Sequence, residues 1–292
     1  YKLWLDPQLV YSCAYFPDPA ATLEAAQSAK LEYLCRKIRL QPGEKVVEVG
    51  SGWGALALYM ARHYGVTVRA FNISKEQLLF ARELARAEGL AHQVEFIEDD
   101  YRNISGHYDA LISVGMLEHV GAKYYGNFGR TIHRCIGNSG RGLVQVIGRN
   151  QLCPFSPWIR KRIFPGGHIP TLRELMDLFE PWNYSVLDVE NLRLHYAKTL
   201  EHWLIRFEES ADRVHEMFGP EFLRAWRLYL AGSIAAFRIG RVQLYQIVFA
   251  GSEFQHIPWT RAHLYEGSKS ATEERKWVHA SSLRIPDRRN RV

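Results

Sequence analysis

Between residues 19 and 40, apolar side chains recur at Leu23, Ala26, Ala29, Leu31, Leu34 and Ile38. That spacing predicts an amphipathic helix, closed by Gln41-Pro42-Gly43. The period then changes: Val46, Val47 and Val49 form a short buried strand that runs into a glycine turn, and an apolar helix follows over 55–64. Further strands are predicted over 66–71, 93–97, 110–114 and 143–147, with a helix over 74–88 that Ser74 is placed to cap. Beyond them come a short helix (171–179), a strand (185–189), two longer helices (199–218 and 220–237) and a last strand (242–249). Strands alternating with helices in this way predict a doubly wound α/β sheet. Residues 1–16 are rich in aromatics and show no helical period.

The turn Glu48-Val-Gly-Ser-Gly-Trp-Gly54 is the first place where pattern becomes chemistry. Glycines at alternate positions let a ligand approach the backbone, and a turn between a strand and a helix N-terminus presents N–H groups to it. A dinucleotide fingerprint requires G-x-G-x-x-G, and a P-loop requires Gly-Lys-Ser/Thr; neither is present. The form E-x-G-x-G-x-G resembles the S-adenosylmethionine loop of class I methyltransferases. A glycine turn without a ligand is the alternative. In an open α/β sheet, ligands bind beyond the carboxyl ends of the strands. Asn72, at the second such end, is placed for a ribose edge, although many class I enzymes carry an acid there. Glu98, Asp99, Asp100 and Tyr101 follow the third strand and suit an adenine ring and its amino group, or else form a solvated loop.

Composition narrows the setting. The 292 residues are 47% hydrophobic, enough for a sizeable core, and no run of about 18 apolar residues suggests a membrane span. No signal-peptide pattern opens the chain. Cys13, Cys35, Cys135 and Cys153 lack metal-ligand spacing and read as reduced thiols of a cytoplasmic protein, with no metal site. The net charge of +6 favours an anionic partner. Arg160, Lys161 and Arg162 stand among Trp158, Ile159, Ile163 and Phe164, a mixture that suits peripheral contact with an anionic membrane surface or a solvated basic face. A second basic run occupies 284–291. No dense basic stripe or separate recognition module points to nucleic acid.

Several separated segments, in order, resemble the cyclopropane fatty acid synthase family, which includes the mycolic acid methyltransferases. They are YSCAYF (11–16), EVGSGWG (48–54), NISKEQ (72–77), SVGMLEHVG (113–121), IFPGGHIP (163–170), HYAKTLEHW (195–203) and FRIGRVQLYQIVF (237–249). The resemblance implies a Rossmann-like class I methyltransferase fold: a mostly parallel sheet with an antiparallel last strand, helices on both faces and helical lid insertions. It implies three regions. Residues 1–40 form a covering segment and helix. Residues 41–250 form the methyltransferase domain, with a lid at 148–170 and helices at 199–237. Residues 251–292 form a polar tail.

The activity so implied is transfer of the methyl of S-adenosylmethionine to the cis double bond of an unsaturated phospholipid acyl chain, at the inner face of the cytoplasmic membrane, giving a cyclopropane. The donor site would comprise Tyr11, Ser12, Glu48, Gly50, Gly52, Trp53, Gly54, Asn72, Ser74, Gln77, Asp100, Tyr101, Ser113 and Gly115. A bound bicarbonate would serve as base, held by the Cys13 backbone, Glu118, the Ile147 backbone and Tyr196. Cys13 and Tyr196 have core packing as their alternative, and His119 either shapes the pocket or caps the next helix. Tyr15, Phe16, Trp53 and Tyr125 line an acyl tunnel or are core. Gln145 stands where family members commonly carry a histidine, so proton removal is the step this chain alters, and a methyl- or methylene-branched product competes with the ring. Other readings are a small-molecule amine methyltransferase and a non-catalytic lipid-binding protein. A homodimer is one option for assembly.

Overall fold

The computed structural model describes residues 1–265. Residues Tyr1–Ile257 form one compact unit, and the described part of the second, 258–265, carries a single helical turn. The basic run at 284–291 and most of the predicted tail lie outside the described residues.

The first helix, α1 (Leu23–Lys37), begins where the Thr22 hydroxyl accepts from the Ala25 N–H at 3.2 Å. Then follow β1 (Lys45–Val49), α2 (Ala55–Tyr64), β2 (Thr67–Asn72), α3 (Lys75–Ala87), β3 (Val94–Glu98), β4 (Ala110–Val114), α4 (Tyr125–Ile136) and β5 (Arg141–Gly148). The remaining elements of the unit are α5 (Pro157–Arg162), α6 (Leu172–Leu175), β6 (Ser185–Asn191), α7 (Arg193–Glu209), α8 (Ala211–Arg238) and β7 (Gln243–Ala250). One seven-stranded sheet runs β3-β2-β1-β4-β5-β7-β6, parallel throughout except for β7, which is antiparallel to both of its neighbours.

Both faces of the sheet are covered, which is why its strands read as nearly continuous apolar runs. Val46, Val68, Ala70 and Ile112 pack against α1, α2 and α3 on one face. Val47, Leu111, Val144 and Ile247 pack against α4 and α6 on the other. A third cluster joins the N-terminal segment to α7 and α8 through Trp4, Phe16, Trp203 and Phe207. Residues 1–40 therefore belong to the same body as the sheet.

Strand positions agree with the hydrophobic pattern to within about two residues. The late helices differ. The first begins at Arg193, six residues before the predicted start, and ends at Ser210, whose N–H bonds back to Arg206 and Phe207. The break expected before Pro220 survives as a kink inside α8, where Gly219 adopts φ 80° and ψ 175°. The proline-rich stretch 148–170 contains one short helix, α5, capped by the Ser156 hydroxyl.

Candidate active site

A cavity of about 690 Å³ opens at the carboxyl ends of β1, β2, β3 and β4. All the predicted donor-site residues line it except Gly54 and Ser113. Gly54 is the N-cap of α2 at φ 93°, and a Cβ there would lie 2.8 Å from both Ala81 Cβ and Phe96 Cζ. Its glycine serves the packing of helix on sheet. Ser113 is buried in β4 and donates to the Val49 carbonyl at 2.9 Å, tying β4 to β1. Spacing alone does not separate these roles from ligand contact.

Asn72 organises the β2 end. Its Oδ1 accepts from the Ile73 and Ser74 N–H groups at 2.8 and 3.2 Å. Its Nδ2 donates to the Gly52 carbonyl at 3.2 Å and to Gln77 Oε1 at 2.8 Å, so the amide braces the glycine turn against α3. At the β3 end, the Asp100 carboxylate accepts both a 2.7 and a 2.8 Å bond from the Arg102 guanidinium. These bonds hold it below the usual carboxylate range and fix the carboxylate's orientation, with a lone pair of Oδ2 still open to a further donor.

Under the glycine turn lie two ionisable groups in a dry environment. Glu48 is buried, its Oε2 has no hydrogen-bond partner, and burial pushes its pKa up to about 8. Lys30, on α1, also lines the cleft and is buried; burial lowers its pKa to about 8, and its ammonium donates to Ser12 Oγ at 3.1 Å. Sequence reasoning missed Lys30. The available signal was its place, with Gln27, on the inward stripe of α1 beside Leu23, Ala26, Leu31 and Leu34. Gln27 Nε2 donates to the carbonyls of Val10 and Ser12 at 3.3 and 3.0 Å, so this stripe holds the segment that crosses the cleft.

A second, smaller chamber of about 180 Å³ adjoins the cleft and shares Tyr11, Ser12, Gly115 and His119 with it. Its walls come from β5, α5, the 163–170 loop, α7 and α8, and are largely apolar: Phe155, Ile159, Phe164, Ile169, Leu200 and Phe237. Two contacts pin the loop over the site. The His168 N–H donates to the Glu118 carbonyl at 2.8 Å, and the Arg149 N–H donates to the Pro170 carbonyl at 2.8 Å.

Glu118 is the carboxylate of this chamber. Its Oε1 accepts from the Ile147 N–H at 2.7 Å, its buried Oε2 has no partner, and burial raises its pKa to about 7. Tyr196 stands on the same wall, its hydroxyl driven well above its ordinary pKa by burial. Tyr229 hydrogen bonds with Tyr11 at 3.4 Å between hydroxyls. Gln145 lines the chamber with its Oε1 accepting 2.8 Å from Gln246 Nε2, a pairing set by the β5–β7 register.

Some expected wall residues lie elsewhere. Cys13 is buried, and its thiol donates to the Ala14 carbonyl at 3.2 Å, outside both cavities. Tyr15 is stacked on Tyr33 and His195, Phe16 on His202, and Tyr125 is in the core on the α4 face, so none lines the chamber. Trp53 lines the donor cleft alone. Of the aromatics that face the chamber from the lid and late helices, Phe164 stood in the basic-aromatic cluster and Phe237 in a family segment, whereas Phe155 and Tyr229 carried no signal.

Sheet order, glycine turn and a cleft at the carboxyl ends of the parallel strands define a class I S-adenosylmethionine-dependent methyltransferase. The family model described as mycolic acid cyclopropane synthetase matches residues 1–247, and the chain belongs to that family. It is similar to a probable fatty acid methyltransferase of Pseudomonas putida, 39% identical over 91% of this chain and 70% of that protein. It is also 39% identical to the cyclopropane-fatty-acyl-phospholipid synthase of Escherichia coli K12, over 84% of this chain; the matched part spans 63% of that relative. Among solved structures, mycolic acid cyclopropane synthase CmaA1 complexed with SAH and CTAB superposes with a TM-score of 0.80 at 29% identity, covering 85% of this chain and 92% of that one.

Proposed function

We propose that the protein transfers the methyl group of S-adenosylmethionine to the cis double bond of an unsaturated phospholipid acyl chain, with a cyclopropane as product. One observation carries this reading: an apolar chamber with a single buried carboxylate opens onto the donor cleft through four shared residues. An alkene is a weak nucleophile, and methyl addition leaves a carbocation that water would capture. The lid and α8 exclude water, and the faces of Tyr196, Tyr229, Phe164 and Phe237 give the cation π-rich surroundings. A small polar amine would find few partners on these walls, which argues against the amine reading.

Bound S-adenosylmethionine supplies an activated methyl group on sulfur. Bicarbonate, which the family resemblance implies, would supply a base for the proton lost on ring closure. The residues fit a small oxyanion: neutral Glu118 can donate from Oε2, and the Tyr196 hydroxyl is on the same wall. Ile147 N–H is spent on Glu118 itself, and Cys13 lies outside the wall. Gln145, tied to Gln246, can offer an N–H but holds no proton to relay. That loss favours a second product: a hydride shift to the cation followed by proton loss from the methyl group, giving a methylene branch of the same mass.

The exposed Arg160, Lys161 and Arg162 are on α5, whose Ile159 lines the chamber. This placement supports peripheral contact with an anionic membrane, with the acyl chain entering beside the basic face. No helix among the described residues is long and apolar enough to cross a membrane. Expression with isotope-labelled methyl donor tests the reading. Labelled unsaturated lipids heavier by one methylene are expected, and fragmentation separates ring from branch. Absence of labelled lipid, with donor binding intact, would redirect the activity to another acceptor.

A further inference from the structure

We infer that Lys30 is the receptor for the α-carboxylate of the donor's methionine end, opposite Glu48. The inference rests on S-adenosylmethionine being the ligand of the cleft.

Two cationic side chains of certain charge line the cleft. Arg102 is exposed and committed to Asp100. Lys30 is 2% exposed, its hydrogen bond is to a neutral hydroxyl, and it forms no ion pair among the described residues. Buried Asp6 and Glu48 attract it without an ion-pair contact, and a buried ammonium so incompletely matched is costly unless a ligand anion completes it. Glu48, also 2% exposed, is the reciprocal case: an acid whose Oε2 faces no donor. The cleft thus holds one buried cation and one buried acid, neither in ion-pair contact with the other. An α-amino acid zwitterion offers one partner to each.

Position selects the methionine end. Asn72 and the 99–101 segment stand at the ends of β2 and β3, where an adenosyl group belongs in this fold. Lys30 and Glu48 come from α1 and β1, at the other side of the glycine turn. The sulfur between the two ends must face the chamber, and Ser12, the partner of Lys30, lines both cavities. The depression of the Lys30 pKa and the elevation of that of Glu48 have the same largest cause, burial, which outweighs the attraction between the two and that of Lys30 to buried Asp6.

The competing role for Lys30 is structural: it only holds Ser12. Calorimetric titration of the full chain separates the two, using S-adenosylhomocysteine and its decarboxylated analogue, which keeps the amine. The unaltered protein is expected to bind the analogue about tenfold more weakly or worse. Lys30→Met is expected to weaken S-adenosylhomocysteine about tenfold while leaving the analogue within about twofold, so that discrimination collapses. Equal weakening of both ligands by the variant, or no discrimination by the unaltered protein, overturns the assignment. The unaltered protein needs no substitution to show its preference, so a folding defect in the variant leaves that measurement decisive. Failure of the unaltered protein to bind S-adenosylhomocysteine at all overturns the donor reading and the Lys30 assignment together.

Discussion

The donor cleft and the apolar chamber touch at four residues and are built in opposite ways. The cleft is assembled mainly from strand ends, each a short run of consecutive residues: 48–53, 71–74, 99–102 and 114–116. It presents backbone, amides and two buried ionisable groups, Lys30 and Glu48. The chamber takes single residues from many elements, mostly apolar, around one carboxylate. The first recognises a ligand of fixed shape and charge, so geometry is set by hydrogen bonds such as those of Asn72. Under the proposed reaction the second must pass a featureless chain and protect a cation, so it would be set by exclusion of water. Donor binding and methyl transfer should accordingly be separable by single substitutions.

The largest separation is expected at Glu118. Glu118→Gln preserves an oxygen for the Ile147 N–H but removes the acid. Turnover should fall about a thousandfold, while S-adenosylhomocysteine affinity stays within about twofold. Parallel loss of affinity would mean that the two regions are one. Gly52→Val makes the converse test. Gly52 adopts φ 52°, and a Cβ there meets no protein atom within 4 Å, so the added side chain enters space kept for the ligand. Donor affinity should drop about a hundredfold; the positive φ also strains a β-branched side chain, so the melting temperature should fall, and affinity is read at a temperature where the variant is still folded. Gly54→Val should instead fail in stability, because its Cβ would collide with Ala81 and Phe96.

A pH series sharpens the comparison. The native Glu118 pKa is raised to about 7, so between about pH 4.5 and 7 the folded state binds more protons than the unfolded state. Glu118 therefore contributes a loss of stability as pH rises through that window and no further loss above it. The melting temperature of the unaltered protein, relative to Glu118→Gln, should decline from pH 5 to 7 and then level. A difference flat with pH would mean that Glu118 is already ionised when folded, and its role as a donor to an anion would fail.

The same contrast explains what the amino-acid sequence discloses. The sheet was legible because doubly covered strands are apolar runs cut by turns, and the cleft because strand ends are contiguous. Gly54 and Ser113 were misplaced because side-chain direction within a motif depends on what packs behind it: α3 and Phe96 in one case, the Val49 carbonyl in the other. Lys30 was hidden within a helix whose apolar stripe dominates its pattern. The chamber was legible only through resemblance. Phe155, Ile159, Tyr229 and Phe237 look locally like any loop or helix residues, and Tyr15, Phe16 and Tyr125, which looked more suggestive, are consumed by packing. The Arg193 start of α7 escaped because its cap is displaced: Leu192 at the N-cap makes no side-chain bond, and Asn191, one residue earlier at the end of β6, accepts from the Arg193 N–H at 3.1 Å.

The smallest expected effect is at Gly232, and it asks whether the chamber's mouth selects chains. Gly232 is in α8, exposed, on the chamber wall, with nothing within 4 Å of a built Cβ. Its φ carries no positive-φ demand, so alanine should be tolerated and should raise stability by about 0.5–1 kcal/mol through helix propensity. Gly232→Leu keeps that helix but projects a branched side chain over the opening. Methylation of long acyl chains should fall about tenfold, short-chain substrates should suffer less, and donor affinity should not move. Because the substitution does not weaken the fold and is remote from the donor, a uniform loss across chain lengths would place the entrance elsewhere on the lid. A chain-length-dependent loss would place it between α5 and α8, beside the exposed Arg160–Arg162 cations.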